Sequence, residues 1–394
     1  MSFDFSTSID RSRTNGEKYT LRETLFKTES VLPMWVADMD IKTPPCVLEA
    51  VQKRAAEPLY GYEEVPDTAF EAQIAWMRAR HGLELQREWM LYSHSVVASI
   101  SVAIQSVTEP GDKVIVQGPI YPPFFKQVTL NNREVLHNPL KKEQSGRYTF
   151  DIEDLRSKID EKTKLLLLCS PHNPVGRVWS EQELRELGEL CLEHDITIFS
   201  DEIHSDLIYS PHRHTPLMSL SDALACKTIM AIGPGKTFNT AGLAISTIVI
   251  ADENLRRRYK ATYDAIHFAQ GNVFGSVGME AAYREGGPWL DALLVHLERN
   301  IDKLEKLVTQ YPDKIRLRRP EGTYLAWLDC SQMGLSNRGL REFFVQKAAL
   351  GLSAGISFGK EGSQYMRLNF AVPTDTMDEA IAHLDLALSS FEEY

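Results

Sequence analysis

A lysine beside two glycines raises the first chemical question of this sequence. The stretch GPGKTFNTAGL occupies residues 233–243, and the amine of Lys236 could either hold a phosphate or take part in covalent chemistry. A P-loop has the pattern G-x-x-x-x-G-K-[ST], whose second half matches Gly235, Lys236 and Thr237. The first glycine of that pattern would fall at Met230. The P-loop interpretation therefore fails, and Lys236 needs another explanation.

Four more polar side chains follow apolar runs that have the character of buried strands. Tyr121 follows DKVIVQGPI, Asn173 follows LLLLCSPH, and Asp201 and His204 follow ITIFS. Ligands of open parallel sheets bind beyond the carboxyl ends of the strands, so we expect these side chains and Lys236 at one edge. Each one alone also has an ordinary explanation, such as a helix cap for Asp201 or a turn residue for Asn173.

Pyridoxal 5'-phosphate (PLP) makes four demands that this set of residues could meet. It needs a lysine for a Schiff base, a carboxylate that keeps the pyridine nitrogen protonated, a donor to the ring oxygen and an aromatic plane on the ring face. Lys236, Asp201, Asn173 and Tyr121 are side chains of those four types. Taken together, they predict a PLP site.

The elements that must position these residues alternate between strands and helices from about Ser99 to residue 250. SEQELRELGELCLEH has helical spacing, with Ser180 as N-cap and Glu183 as its capping-box partner. This alternation predicts an α/β fold with a mostly parallel sheet that is covered by helices on both faces. The candidate strands are DKVIVQGPIY, KTKLLLLCSPHNP, DITIFSDEIH, KTIMAIGPGK and AISTIVIAD.

The pattern changes after about residue 290, where we expect a second and smaller domain. A long charged helix, VHLERNIDKLEKLVTQ, is followed by the isolated strands TYLAWLD and YMRLNF and by a final helix. We expect a large domain at residues 50–288 and a smaller α+β domain formed by residues 1–49 and 289–394, in keeping with a chain of 394 residues.

Composition excludes several classes of partner. The formal net charge of -11 argues against nucleic acid or an anionic membrane, since both require clustered positive charge. The five cysteines are scattered and never form a CxxC pair, and HExxH and other metal spacings are absent, so we expect reduced thiols and no metal. The N-terminal stretch has no apolar signal region and no window reaches about 18 apolar residues. We therefore expect a cytoplasmic protein.

Seven ordered segments resemble the fold-type I aminotransferase superfamily of PLP enzymes and, within it, the MalY/PatB-type cystathionine β-lyases. The resemblance covers nearly the whole chain and implies the PLP-dependent transferase fold of type I and a carbon-sulfur β-lyase activity. An aminotransferase on the same scaffold, or a regulatory binding protein on a PLP fold, are the alternatives. The segments are LPMWVADMDI, YGYEEVPD, GPIYPPF, LLLCSPHNPVGRVW, SDEIHSDLIY, GKTFNTAGL and YMRLNFAVP.

The resemblance assigns roles to five side chains. It implies that Lys236 binds PLP covalently and acts as the catalytic base, and that Asp201 pairs with the pyridine nitrogen. Asn173 is then the donor to the ring oxygen, and Tyr121 is a catalytic residue that stacks on the ring. Arg367 is implied to clamp the substrate α-carboxylate, which suits a planar guanidinium. As a base near neutral pH, Lys236 needs a pKa well below about 10.4.

Other implied contacts concern the phosphate, the substrate and a second subunit. Ala37 is a further expected substrate contact, and His204 is expected to support the cofactor. Tyr62 matches a tyrosine that reaches the phosphate of the neighbouring subunit, which implies a homodimer with shared active sites. The phosphate itself is expected to meet the backbone N–H groups of a helix start, those of Ser95, Val96 and Val97.

The sequence departs from the superfamily pattern around the phosphate. Much of the superfamily has serine or threonine at one or both of the positions of Gly233 and Gly235, and many aminotransferases have arginine at the position of Ala244. Each lost hydrogen bond to a charged group is worth roughly 1.5 to 3 kcal/mol, although the hydroxyl of Ser95 could return one. We therefore expect a functional PLP site with weakened cofactor retention.

Overall fold

The computed structural model describes residues 3–11, 13–268 and 271–391. Across these residues, no helix has both the length and the apolar character needed to cross a membrane. The α-helices are α1 (Glu17–Thr20), α2 (Arg22–Phe26), α3 (Pro45–Ala55), α4 (Asp67–His81), α5 (Val96–Val107), α6 (Pro123–Leu130), α7 (Ile152–Lys158), α8 (Glu181–Glu193), α9 (Asp222–Lys227), α10 (Pro234–Thr237), α11 (Glu253–Ala265), α12 (Val273–Glu285), α13 (Gly287–Val308), α14 (Asn337–Gln346) and α15 (Thr374–Ser389).

The strands form a seven-stranded central sheet, a four-stranded sheet and two small pairs. Their bounds are β1 (Leu32–Pro33), β2 (Met90–Ser93), β3 (Lys113–Val116), β4 (Glu134–His137), β5 (Lys141–Lys142), β6 (Tyr148–Thr149), β7 (Thr163–Cys169), β8 (Thr197–Asp201), β9 (Thr228–Ile232), β10 (Ser246–Val249), β11 (Arg316–Leu317), β12 (Leu325–Asp329), β13 (Leu350–Gly351), β14 (Ser353–Ala354) and β15 (Tyr365–Asn369).

The central sheet has the order β2-β10-β9-β8-β7-β3-β4, and the neighbours from β9 to β4 pair in parallel. β10 is antiparallel to both β2 and β9. The prediction of a mostly parallel sheet is confirmed, with β10 as its one reversed strand. Because β10 is reversed, its first residue lies at the same edge as the last residues of β2, β7, β8 and β9.

Strand β7 shows why its sequence is an uninterrupted apolar run. Leu165 and Leu167 face a core built with α5, α6 and α11, whereas Leu166 and Leu168 face a core built with α7, α8 and α9. All four are essentially inaccessible to solvent. Complete burial of a leucine contributes about 1.5 to 3 kcal/mol, and here both faces of the strand receive that contribution. The predicted helical cover on both faces is confirmed.

The predicted capping box at the start of α8 is confirmed. The Ser180 hydroxyl accepts the Glu183 N–H at 3.2 Å, and the Glu183 carboxylate accepts the Ser180 N–H at 2.9 Å. This reciprocal pair satisfies two N–H groups that would otherwise have no partner at the helix start. It fixes the point at which the chain leaves the strand β7 region and enters α8.

The C-terminal part contains the antiparallel sheet β11-β12-β15-β14, flanked by α13 and α15. The first strand of the chain joins this part, because β1 pairs in parallel with β13. Helix α13 begins at Gly287, earlier than the predicted start at Val295, since Pro288 in its first turn has a φ angle suited to a helix start. The predicted domain limits, near residues 49 and 288, fall inside α3 and α13.

Candidate active site

A cavity of about 560 Å³ lies at the carboxyl edge of the central sheet, where the C-terminal sheet and the N-terminal segment meet it. The structure brings most of the predicted site residues together in its wall. Tyr62 is the exception, since it lies outside this wall. The predicted residues that line the cavity are Ala37, Ser95, Val96, Val97, Tyr121, Asn173, Asp201, His204, Lys236 and Arg367.

Lys236 enters the cavity from α10, the short helix that follows β9. Its Nζ donates a hydrogen bond to the carbonyl oxygen of Ala37 at 2.6 Å. Burial lowers the pKa of Lys236 to about 8. A base near neutral pH requires a shift in this direction, and at a pKa of about 8 roughly a tenth of the amine is neutral at pH 7, compared with less than about 0.1% for a free lysine. A buried lysine of this kind can act as a nucleophile and as a base.

The residue after Lys236 is anchored behind the cavity. Thr237 donates its hydroxyl hydrogen bond to the Asp206 carboxylate at 2.8 Å. Asp206 also accepts Trp76 Nε1 at 2.9 Å and contacts His81 Nε2 at 2.9 Å. Burial alone would raise the pKa of Asp206, but these hydrogen bonds and the histidine outweigh that effect and lower it. Asp206 therefore stays ionised and holds the helix that carries the lysine.

Asp201 is the last residue of β8, and its side chain is buried in the cavity wall. The backbone N–H of Ile203 donates to its carboxylate at 3.1 Å, and the described residues form no salt bridge with it. Burial raises the pKa of Asp201 to about 7. A buried carboxyl without a cation is poorly satisfied by the chain alone, whereas a protonated ring nitrogen would supply the missing partner. This donor set fits the pyridine nitrogen of PLP.

His204 offers a second unsatisfied group in the same wall. Its Nδ1 is buried and makes no hydrogen bond to any described residue. Burial lowers the pKa of His204 to about 3, so the ring is neutral at physiological pH. It packs edge-on against Tyr324, with ring centroids 5.9 Å apart, and the Tyr324 hydroxyl donates to the Ala37 carbonyl at 2.8 Å. A neutral imidazole with a free nitrogen suits the predicted supporting contact with a cofactor.

Arg367 supplies a buried positive charge from β15. Its guanidinium donates to the Asn173 amide oxygen at 3.0 Å, to the Trp35 carbonyl at 2.6 Å and to the Ser353 hydroxyl at 3.3 Å. Its Nε makes no hydrogen bond, and no salt bridge joins it to any described residue. Burial lowers the pKa of Arg367 to about 10, which leaves the group charged at pH 7. A buried guanidinium without an anion is matched by a ligand carboxylate.

The helix start that was expected to hold the phosphate lies in the cavity wall, but one of its three predicted N–H groups already has an acceptor. The N–H of Ser95 donates to the Ser93 hydroxyl at 3.2 Å, and the Ser95 side chain caps the N–H of Ala98 at 3.5 Å. The N–H groups of Val96 and Val97 belong to the first turn of α5 and have no intrahelical acceptor. These two amides are therefore better suited than that of Ser95 to bind an anion.

The two glycines that depart from the family pattern differ in their surroundings. A Cβ added at Gly233 would lie 3.0 Å from the backbone of Ser246, so a side chain there requires the neighbouring strand to shift. A Cβ at Gly235 would meet Ala241 at an ordinary 3.5 Å, and Gly235 lines the cavity. Ser246 lines the cavity as well, as the first residue of the reversed strand β10. Ala244, at the position where many aminotransferases have arginine, does not line the cavity.

Several wall residues were not identified from the sequence. Glu17, Trp35, Asp38 and His94 line the cavity. Trp35 and Asp38 belong to the quoted segment LPMWVADMDI, and His94 directly precedes the predicted Ser95. These sequence positions could have been used to predict that the three residues lie at the site. Glu17 lies in no motif, and nothing in its local sequence points to the cavity.

Tyr62 is 92% exposed and lies between α3 and α4 in a segment without regular structure. Leu59 and Tyr60 in the same segment are also exposed, at 80% and 58%. Within one chain, this tyrosine makes no contribution to the cavity wall. The expectation that it reaches the site of a neighbouring subunit stays a prediction.

Comparison with known proteins identifies the class to which this fold and site belong. The family model for aminotransferase class I and II matches residues 31–384, and the chain belongs to that family. A structure of cystalysin from Treponema denticola that contains PLP is 33% identical, with a TM-score of 0.95 and complete coverage of both chains. A PLP-bound C-S lyase from Staphylococcus hominis is 32% identical, with a TM-score of 0.90 and coverage of 98% and 99%. The protein is a PLP-dependent enzyme of fold type I.

The similarity is also specific within the family. The chain is 40% identical over 387 residues to cystathionine beta-lyase PatB of Bacillus subtilis (strain 168), covering 98% of this chain and 100% of the relative. The resemblance to the MalY/PatB-type group is therefore confirmed over essentially the whole length. The predicted cofactor and fold class are confirmed with it.

Proposed function

We propose that this enzyme is a carbon-sulfur β-lyase of the cystathionine β-lyase type. It converts an S-substituted cysteine and water into a thiol, pyruvate and ammonia. The observation that carries the proposal is the pairing of unmatched charges in one cavity: the Arg367 guanidinium lacks an anion and the Asp201 carboxylate lacks a cation. An amino-acid carboxylate and a pyridine nitrogen are the matching groups. The full-length similarity to a cystathionine beta-lyase supports the choice of reaction.

The residues of the cavity fit PLP in a definite arrangement. When bound, PLP supplies an electron sink for the negative charge that develops at the substrate Cα. Lys236 would hold it covalently, Asp201 would keep its ring nitrogen protonated, and Asn173 would donate its amide N–H to the ring oxygen, because its amide oxygen already accepts from Arg367. The free N–H groups of Val96 and Val97 would bind the phosphate.

Lys236 has the properties required of the base that removes the substrate α-proton. Its amine is buried and its pKa is lowered to about 8, so a neutral amine is accessible near physiological pH. The Ala37 carbonyl orients Nζ, and the hydrogen bond between Thr237 and Asp206 holds the following residue in place. General base catalysis from a positioned group is worth about 10² to 10⁴-fold in rate.

Arg367 and Tyr121 would determine which substrate bond breaks. Arg367 fixes the α-carboxylate, and its contacts with Trp35 and Asn173 fix the guanidinium itself. Tyr121, partly buried in the same wall, would hold the ring face. With two points fixed, the Cβ–S bond can lie parallel to the π-system, which favours expulsion of the thiolate. The leaving sulfur takes the electron pair and is protonated to the thiol.

Aminotransferase activity is the second candidate, because the matched family model carries that name. Lys236, Asp201, Asn173 and Arg367 would serve transamination equally well. A single assay separates the two. Purified protein given L-cystathionine should release pyruvate and ammonia without a keto-acid acceptor. Faster transfer of the amino group to an added keto acid, for every amino acid tried, would contradict the lyase and establish the aminotransferase.

We also propose a homodimer in which Tyr62 reaches the partner's phosphate site. The exposure of three neighbouring large side chains, Leu59, Tyr60 and Tyr62, supports a surface that becomes covered. Mixing inactive Tyr62→Ala and Lys236→Ala proteins tests it, since a mixed dimer regains one intact site. Activity should appear on mixing and subunit exchange. If the mixture has only the summed activities of the two separate variants, the sites are not shared.

The remaining assignments concern organisation and location. We propose the two domains at residues 50–288 and at 1–49 with 289–394, supported by the separate C-terminal sheet and the pairing of β1 with β13. Since α3 and α13 cross the two limits, the domains would be connected by continuous helices. We propose a cytoplasmic location, in keeping with five unpaired cysteines.

A further inference from the structure

The carboxylates that line the active-site cavity differ in their partners. Asp201 faces the position proposed for the ring nitrogen. Asp38 pairs with the buried Lys18 at 3.1 Å and lies 3.7 Å from Arg11. The side chain of Glu17 forms no hydrogen bond and no salt bridge with any described residue, although it belongs to the same wall. Glu17 is thus the exposed lining carboxylate, and no cation of the described residues forms a salt bridge with it.

The position of Glu17 is defined by its neighbour in α1. Lys18 is fully buried, and its Nζ donates to Asp40 at 2.9 Å and to the carbonyl of Asp38 at 3.3 Å. Trp35 Nε1 in turn donates to the Lys18 carbonyl at 3.0 Å. These contacts fix the backbone at the residue that follows Glu17. The glutamate is exposed, yet its Cα cannot move far from the cavity.

Glu17 lies on the substrate side of the cavity. It shares the wall with Trp35 and Ala37, which contact Arg367 and Lys236. Burial raises the pKa of Tyr121, and the charge of Glu17 adds to that shift. Three other wall residues are exposed. Ser95 is the N-cap of α5 at the proposed phosphate end, and Ala241 and Gly242 lie in the turn that follows α10.

A substrate held by Arg367 must direct its longer end away from the buried wall. Arg367 is buried and Lys236 is half-buried in the wall, whereas Glu17 is exposed, so we expect a long group on the sulfur to extend toward Glu17. We propose that Glu17 is a specificity residue that favours substrates whose sulfur substituent carries an ammonium group. The proposal rests on the proposed lyase function and adds a charge preference to it.

The expected size of this preference follows from exposure. An ion pair open to solvent changes kcat/KM by up to about fivefold, equivalent to about 1 kcal/mol at 1.4 kcal/mol per decade. The effect must weaken with added salt, because the screening length falls from about 10 Å at 0.1 M to about 3 Å at 1 M ionic strength. Packing effects of the side chain would not show this salt dependence.

Two substrates of matched shape provide the test. S-(2-aminoethyl)-L-cysteine and S-propyl-L-cysteine differ by an ammonium in place of a methyl group at the end of the substituent. The readout is the ratio of their kcat/KM values for acceptor-free pyruvate release, measured with the PLP-loaded enzyme. Glu17→Gln should lower this ratio about three- to fivefold at low salt and less at 0.5 M salt. The matched control, Glu23→Gln, changes an exposed carboxylate in α2 that does not line the cavity and should leave the ratio unchanged.

The outcomes separate this inference from the proposed function. If the unmodified enzyme releases pyruvate from both substrates and the ratio is the same in Glu17→Gln, the charge preference is wrong and the lyase stands. An equal loss for both substrates would assign Glu17 a structural role and also overturn the preference. No acceptor-free pyruvate from any S-substituted cysteine would overturn the lyase function, and the preference with it.

Discussion

Asp201 and Asp206 lie five residues apart on one segment, and both carboxylates are buried. Asp206 faces the interior behind the cavity, where Thr237, Trp76 and His81 contact it and its pKa is lowered. Asp201 faces the cavity, where one backbone N–H reaches it and burial raises its pKa to about 7. Burial is common to both, so the difference comes from the partners.

Asp201 and Asp206 show two uses of a buried charge. On the interior side Asp206 has partners within the chain, so its charge contributes to stability. On the cavity side Asp201, His204 and Arg367 are left with unmatched capacity, which costs stability in the free protein. Unmatched groups of opposite sign in one wall are what a zwitterionic substrate and a cationic ring require.

The largest effect is expected for Lys236→Ala, on the cavity side. Loss of the amine removes both covalent attachment and the base, so turnover should fall by at least about 10³-fold. The yellow colour of the bound cofactor should also disappear. Visible absorbance and pyruvate release measure these two properties. The stability of Lys236→Ala should be close to that of the parent. If the variant kept both the visible absorbance and the turnover, Lys236 would not have its assigned role.

The pH dependence of stability should reveal Asp201 in the cofactor-free protein. Because its folded pKa, about 7, exceeds the unfolded value of 3.8, the folded state holds its proton longer. This group therefore lowers the free energy of unfolding as pH rises from about 4 to 7, by up to about 4 kcal/mol. His204, with its folded pKa lowered to about 3, acts in the opposite direction between about 3 and 6.5.

The two opposing contributions are separated by comparing variants. Denaturant unfolding of the parent and of Asp201→Asn, both free of PLP, should show the variant gaining relative stability as pH rises through that window. His204 is unchanged in both and cancels in the difference. If the difference in the free energy of unfolding stayed constant between pH 4 and 7, the pKa of Asp201 would not be raised. Asp201 and Asp206 would then not differ in the way described.

Arg367→Ala should lower kcat/KM by about 10²-fold, equivalent to about 2.7 kcal/mol, since a desolvated charge contact with the substrate carboxylate is lost. The loss should be visible for every amino-acid substrate, charged or neutral at its far end. Arg367→Lys, which keeps the charge and loses the planar fork, is the matched variant and should recover part of the activity. Unchanged kcat/KM in the alanine variant would exclude Arg367 from carboxylate binding.

Asp206→Asn should reduce stability by about 2 kcal/mol, because the amide has one acceptor oxygen for the three side chains that contact this position. This is the reverse of the behaviour expected for Asp201→Asn at pH 7. Thermal or denaturant unfolding of the PLP-free proteins measures both. Equal behaviour of the two asparagine variants would show that the interior and cavity sides are not distinct.

The smallest effect concerns the phosphate end. Gly235→Ser adds a hydroxyl where there is room for it, and should slow the loss of PLP on dialysis by up to about tenfold, equivalent to 1.4 kcal/mol. Gly233→Ser is the contrasting variant, since its Cβ would lie 3.0 Å from the backbone of Ser246, and it should destabilise the protein instead. Equal retention in Gly235→Ser and the parent would mean that backbone amides already saturate the phosphate.

Much of the fold and of the cofactor site could be predicted because the relevant signals are local. The apolar run of β7 and the capping box of α8 are short-range patterns that the structure confirms. Residues at strand ends, such as Asn173, Asp201 and Lys236, are brought together by a general property of parallel sheets. The expectation that they share one edge followed from the common direction of parallel strands.

Ser246 was missed because strand direction is a tertiary property. The sequence AISTIVIAD indicates a strand, but not that β10 runs against its neighbours and places its first residue at the cavity edge. Glu17 was missed for a related reason. It reaches the wall only because the buried Lys18 ties α1 to the segment that carries Asp38 and Asp40, and such long-range contacts leave no local pattern.

The sequence by itself therefore determined the class of fold and the cofactor, and it predicted the principal side chains of the site, since these depend on periodicity and on residue types at strand ends. Only the tertiary structure decided which buried charges are matched. Asp201 and Asp206 have the same side chain, and their opposite pKa shifts come from donors that lie far away in the chain, such as His81 and Thr237. Folding places those side chains around Asp206 behind the cavity and leaves Asp201 with one backbone N–H.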